Sequence, residues 1–119
     1  LDSRVRDSIN RIEAQVLALE MMLLRVASDS SDPGPKASIL KIRGSELQME
    51  LARLQMQVAG ADSWPYDPEW LYADSEFHGP GPEYSAAASA GYFDMRKTAI
   101  YGGTNEVQKG IISKQIIGV

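Results

Sequence analysis

Two stretches of apolar residues at alternating steps of four and three, split by a proline–glycine break, constrain this chain more than any other feature. In residues 2–27 the apolar positions are Val5, Ile9, Ile12, Val16, Leu19, Leu23 and Val26. Steps of four and three return to one side of a helix with 3.6 residues per turn, so the spacing predicts one long amphipathic helix. Arg4, Asp7, Arg11 and Gln15 fall on the opposite side. Residues 28–35 are polar and contain Pro33, Gly34 and Pro35, which breaks the helix. Pro35 suits the first turn of a second helix, where its missing N–H does no harm. Residues 36–59 repeat the pattern at Leu40, Leu47, Leu51, Leu54 and Val58, and Gly60 is a natural stop. Gly44 lies in register between Leu40 and Leu47. A glycine there costs up to ~1 kcal/mol of helix propensity, which points to close approach by a neighbouring helix. Two long helices with so short a connector are expected to pack antiparallel.

The remainder is more punctuated. Residues 61–82 hold Trp64, Pro65, Pro68, Trp70, Tyr72, Phe77, Pro80 and Pro82. The prolines exclude a long helix, and the aromatics predict an ordered loop packed on the helices. Residues 84–97 turn small and helical around Ala86, Ala87, Ala88 and Ala90, a composition that permits close packing. A last helix over 105–117 would bury Val107, Ile111, Ile112 and Ile116 and end at Gly118. No alternating stretch is long enough to build a sheet. The expected fold is all-α: one domain over residues 1–119, an antiparallel bundle of about four helices with one long loop rich in proline and aromatic residues.

Composition removes several classes of function. The chain has 119 residues, 12 basic and 16 acidic, for a net charge of −4. Nucleic-acid binding needs a concentrated positive face, which this balance does not supply. There is no cysteine, so disulfides, thiolate chemistry and cysteine-ligated zinc are excluded. His78 has no second imidazole with which to share a metal, and no metal site is expected. No apolar run approaches the ~20 residues of a membrane-spanning helix, and no signal-peptide pattern is visible. The expected location is the cytoplasm or an organelle matrix. Helical periodicity starts at once after Leu1, as in a piece of a longer chain.

Chemistry concentrates near the end, in Ile100-Tyr101-Gly102-Gly103-Thr104-Asn105-Glu106-Val107-Gln108-Lys109. The two glycines allow a sharp turn or the close approach of another body, because no Cβ intervenes. Thr104 stands where it can cap the following helix. Free amides and a partial positive charge at that helix start attract anionic groups, although Glu106 can satisfy the same end itself. From the residues alone two readings stay open, a purely structural capped turn and a seat for a large ligand.

The string resembles the C-terminal signature of the acyl-CoA dehydrogenase family, I-Y-x-G-T-N-E-x-Q, through Tyr101, Gly103, Thr104, Asn105, Glu106 and Gln108. The likeness continues into Ile111-Ile112-Ser113-Lys114 and Ile117-Gly118. The resemblance implies an FAD-dependent enzyme that forms a trans-2-enoyl-CoA from an acyl-CoA, with electron-transfer flavoprotein or a similar acceptor, as a dimer or tetramer. It implies FAD contacts at Thr104, Asn105 and Glu106, and substrate contacts at Tyr101, Gly102 and Gly103. The segment Gln57-Val58-Ala59-Gly60-Ala61-Asp62-Ser63-Trp64 is similar to the family's Q-x-x-G-G-x-G-Y, which implies that Gln57 and Gly60 contact the FAD of a neighbouring subunit. Ala61 and Ser63 stand where that motif has glycines. Many members carry the catalytic glutamate directly after the tyrosine; here that position is Gly102, so no catalytic residue is assigned. Some relatives carry the base on an earlier helix, and others are non-catalytic partners in hetero-oligomers. A non-catalytic helical subunit or interaction module is therefore the alternative. The resemblance covers only the family's C-terminal helical domain, without the N-terminal helical and middle β domains, so this stretch alone is expected to be inactive.

Overall fold

The computed structural model describes residues 2–29, 33–72, 76 and 79–118. Residues 30–32 of the connector, Phe77, His78 and the Trp70 side chain lie outside the described residues. Four α-helices form among them: α1 (Ser3–Ser28), α2 (Gly34–Ala59), α3 (Ala88–Met95) and α4 (Asn105–Ile112). No strand occurs among the described residues. None of these helices is long and apolar enough to cross a membrane. The all-α architecture is the one that the spacing predicts.

Local chemistry sets the helix ends. Asp2 caps α1 by accepting the Arg4 amide at 3.1 Å. Pro35 occupies the first turn of α2, and Gly60, with φ of 64°, closes its end. Lys36 pairs with Asp29 across the connector. Arg11 of α1 meets Glu50 of α2 at 3.2 Å. With Leu19 lying nearest Gly44, these pairs match early α1 to late α2, which makes the two helices antiparallel.

α2 is the centre of the molecule. α1 packs along one side of it and α3 and α4 along another. The α1 side holds the apolar cluster of Val5, Ile12 and Leu54, with Ile9 and Leu47 against it. The other side of α2 is lined by Ser38, Ser45, Ala52 and Ala59, all buried and seven residues apart, together with Ile42. Small side chains at that interval keep one face narrow, so that Ala86, Ala88, Ser89 and Thr98 can approach and become buried in turn. A search for large apolar residues overlooks such a face because half of its members are serines.

This arrangement corrects several expectations. Val16 and Leu23 of α1 are exposed, as are Leu51 and Val58 of α2. Among the described residues α2 is the main neighbour of α1, so only part of its apolar stripe finds a partner. Ile111 and Ile112 are half-buried, but Val107 and Ile116 face outward. Beyond α4 the backbone widens into a π-helical turn, Ser113–Ile117, which ends at Gly118 in the left-handed conformation. The radius of gyration is 17.9 Å and the extents are 55 × 30 × 25 Å. A compact domain of this length would have a radius near ~13–14 Å. The chain is therefore elongated and leaves much apolar surface uncovered.

The loop aromatics among the described residues do not pack down: Trp64 is 75% exposed, Tyr72 71% and Tyr66 56%. Small polar residues anchor the loop instead. Ser63 is wholly buried and donates to Gly60 O at 2.7 Å, with Met56 O at 3.3 Å. Ser85, equally buried, donates to Pro82 O at 2.6 Å. Asp62 lies against Gly81, where an added Cβ would fall 2.3 Å from its carboxylate oxygen.

Two substitutions test the packing. Gly44 was expected to allow close helix approach, yet a Cβ there would meet only Leu19 Cδ2, at 4.0 Å. The α1 neighbour does not need the glycine, and Gly44→Ala is expected to stabilise the chain by roughly 0.5–1 kcal/mol in urea denaturation. Ser89 Oγ is sealed from solvent on α3 with no hydrogen-bond partner. Because an orphaned buried hydroxyl carries its full desolvation cost, Ser89→Ala should raise stability by about 1 kcal/mol; a loss of stability would show that the hydroxyl is satisfied.

Candidate functional site

The turn before α4 is built by hydrogen bonds and two left-handed glycines. A 3₁₀ segment, Arg96–Ala99, delivers the chain from α3, and the Ile100 and Tyr101 amides donate to Lys97 O at 2.9 and 3.1 Å. Gly102 and Gly103 then take φ of 67° and 87°. Thr104 caps α4 by accepting the Val107 amide on Oγ1 at 3.2 Å. Gln108 reaches back, donating from Nε2 to Gly102 O at 3.2 Å. A Cβ on Gly103 would sit 2.5 Å from that nitrogen, whereas one on Gly102 would meet nothing. Gly102 thus answers to its backbone angle, and Gly103 to both angle and space. Tyr101, Gly102, Gly103 and Glu106 are exposed. The amides of Asn105 and Glu106 open α4 and have no acceptor inside the helix.

Asn105 faces inward and is buried. Its Oδ1 accepts from Lys41 Nζ at 2.8 Å and lies 3.2 Å from Ser45 Oγ, both on α2. Thr98 Oγ1 adds a donor to Met95 O at 2.8 Å and a longer contact of 3.4 Å to Ser45 O. A short polar seam thereby joins the turn to the middle of α2.

These geometric features sit in a chain whose residues 2–117 match the family described as Acyl-CoA dehydrogenase, C-terminal domain. The chain belongs to that family. No curated protein and no solved structure matches it.

In this acyl-CoA dehydrogenase domain the second candidate segment lies apart from the first. Asn105 packs at Ser45, while Gln57 lies twelve residues further along α2, about 18 Å at ~1.5 Å per residue. Gln57 is exposed, and Gly60 has open space where a Cβ would be. One chain therefore brings Tyr101 to Glu106 together and leaves Gln57 and Gly60 at the far end of the central helix. Ser63, which takes a glycine position of the family motif, serves the helix end through its two carbonyl contacts.

The two basic residues that lead into the turn have partners within the chain. Lys97 Nζ bonds Asp94 Oδ1 at 2.6 Å, and that hydrogen bond, reinforced by the carboxylate charge, holds its ammonium above the ordinary lysine value. The Arg96 guanidinium lies 4.7 Å from the centre of the Tyr92 ring. Sequence reasoning gave no role to Gln108, Lys41, Ser45 or Thr98. Gln108 belongs to the signature string, but its back-bond appears only once the glycines have turned; the other three are joined to the turn only by folding.

Proposed function

We propose that this domain closes one side of the flavin and acyl pocket of an FAD-dependent acyl-CoA dehydrogenase, which forms a trans-2-enoyl-CoA by α,β-dehydrogenation of an acyl-CoA. Thr104, Asn105 and Glu106 contact FAD, and Tyr101, Gly102 and Gly103 line the acyl thioester. The observation that carries this reading is the exposed Gly102–Gly103 turn opening directly into the Thr104-capped start of α4. The residues fit such a group: the glycines keep one side clear, and the Asn105 and Glu106 amides offer donors to its acceptor atoms. When bound, FAD supplies the hydride acceptor, and the protein's share is to orient it and exclude water. Gln57 and Gly60, some 18 Å or more along α2, serve the FAD of a neighbouring subunit. The exposed apolar residues Leu17, Met21, Leu24 and Ile117 support packing against other domains or subunits in a dimer or tetramer. Electron-transfer flavoprotein or a similar acceptor would reoxidise the enzyme.

The left-handed Gly102 favours a second reading. It offers no proton acceptor, and a glutamate there would be strained, so the base stands elsewhere or the domain belongs to a non-catalytic subunit. The visible spectrum of the full-length gene product, recorded during anaerobic addition of acyl-CoA thioesters, separates the two. A flavin band that bleaches with one acyl class is expected. A colourless protein, or a flavin that no thioester reduces, would transfer the assignment to the non-catalytic subunit.

A further inference from the structure

The Lys41–Asn105 contact carries information about orientation. A lysine ammonium donates and never accepts, so the Asn105 amide must turn its oxygen toward Lys41, 2.8 Å away. Ser45 has a single hydroxyl proton and shares it between Asn105 Oδ1 at 3.2 Å and Ile42 O at 2.8 Å. Lys41 is therefore the dominant orienting group. It is half-buried and forms no ion pair among the described residues, so Asn105 is the group that receives its charge. With Oδ1 committed, Nδ2 points away from Lys41. No acceptor takes Nδ2 among the described residues, and it is not sealed, since Ser89 Oγ is the sealed and unpartnered side-chain atom among them. An amide whose oxygen is bonded to a cation is also the stronger N–H donor.

We infer that Lys41 is a positioning residue: through Asn105 Oδ1 it makes the start of α4 present an N–H donor, not a carbonyl, to a hydrogen-bond acceptor atom of the bound flavin. This inference rests on the proposed flavin contact of the turn and names how that contact is oriented.

Lys41→Met keeps the apolar stem and removes the donor, so the amide is free to flip. In the full-length protein FAD affinity should fall about tenfold, the loss of one well-oriented donor, with a change in the flavin absorption envelope. Lys41→Arg, which keeps a donor, should recover most of the affinity. Asn105→Asp keeps an acceptor for Lys41 but has no N–H to offer. Its apoprotein should melt near the wild-type temperature while FAD affinity falls as in Lys41→Met. Unchanged FAD affinity and absorption in both Lys41→Met and Asn105→Asp would overturn the orientation role, as would a Lys41→Met effect confined to apoprotein melting. A wild-type protein that binds no FAD overturns the flavin reading of the turn and this inference with it; one that binds FAD but is indifferent to the substitutions overturns the inference alone.

Discussion

Leu54→Ala is expected to cost about 3 kcal/mol, within the ~2–5 range for buried leucine truncation, and to remove much of the cooperative unfolding transition of the chain. Leu54 is 5% exposed and joins Val5 and Ile12 in an apolar cluster supported, among the described residues, by Ile9 and Leu47. Domains of this size are stable by roughly 5–15 kcal/mol, and so thin a core places this one low in that span. Chemical denaturation followed by circular dichroism checks the effect, with Leu51→Ala as the comparison. Leu51 is 46% exposed, so its truncation should cost less than about 1 kcal/mol. Equal midpoints for the two variants would mean that the stabilising contacts lie elsewhere.

The second large effect belongs to Gly103. Gly103→Ala puts a Cβ on a residue with φ of 87° and 2.5 Å from Gln108 Nε2. The left-handed conformation costs roughly 1–2 kcal/mol, and displacing Gln108 from Gly102 O forfeits a hydrogen bond of about 1 kcal/mol. The expected loss of stability is about 2–3 kcal/mol. FAD retention by the full-length protein should fall more than about tenfold, because the turn moves with Gln108. Gly102→Ala shares the backbone strain without the collision and should be the milder of the two. Denaturation and flavin titration of both variants check the order; a Gly102→Ala more damaging than Gly103→Ala would show that space at Gly102, not the Gln108 brace, governs the turn.

Much of the helical framework was legible because its signals are local. The 4–3 spacing located α1 and α2, Pro35 and Gly60 marked the ends of α2, and Thr104 marked the start of α4. Each depends on chemistry within a few residues of the chain. The signature around Tyr101 to Gln108 was equally legible, and it led to the family shown by the match over residues 2–117. Burial was harder to read. Val16, Leu23, Val107 and Ile116 have the right spacing and still face outward, because periodicity shows which residues share a face but not whether a partner covers it. Trp64, Tyr66 and Tyr72 misled for a related reason: Ser63 and Ser85 anchor the loop through carbonyls that only a folded turn brings within reach.

The helices, the Thr104 cap, the glycine turn and the family were legible from the chain alone, since all of these rest on neighbouring residues. Tertiary structure alone decided that α2 is the central helix and that its Ser38–Ser45–Ala52–Ala59 face receives α3 and α4. It also decided that Asn105 turns its oxygen to Lys41, sixty-four positions away along the chain. Small side chains and single hydrogen-bond donors carry almost no periodic signal, and their effect exists only where folding brings distant backbones within a few ångströms.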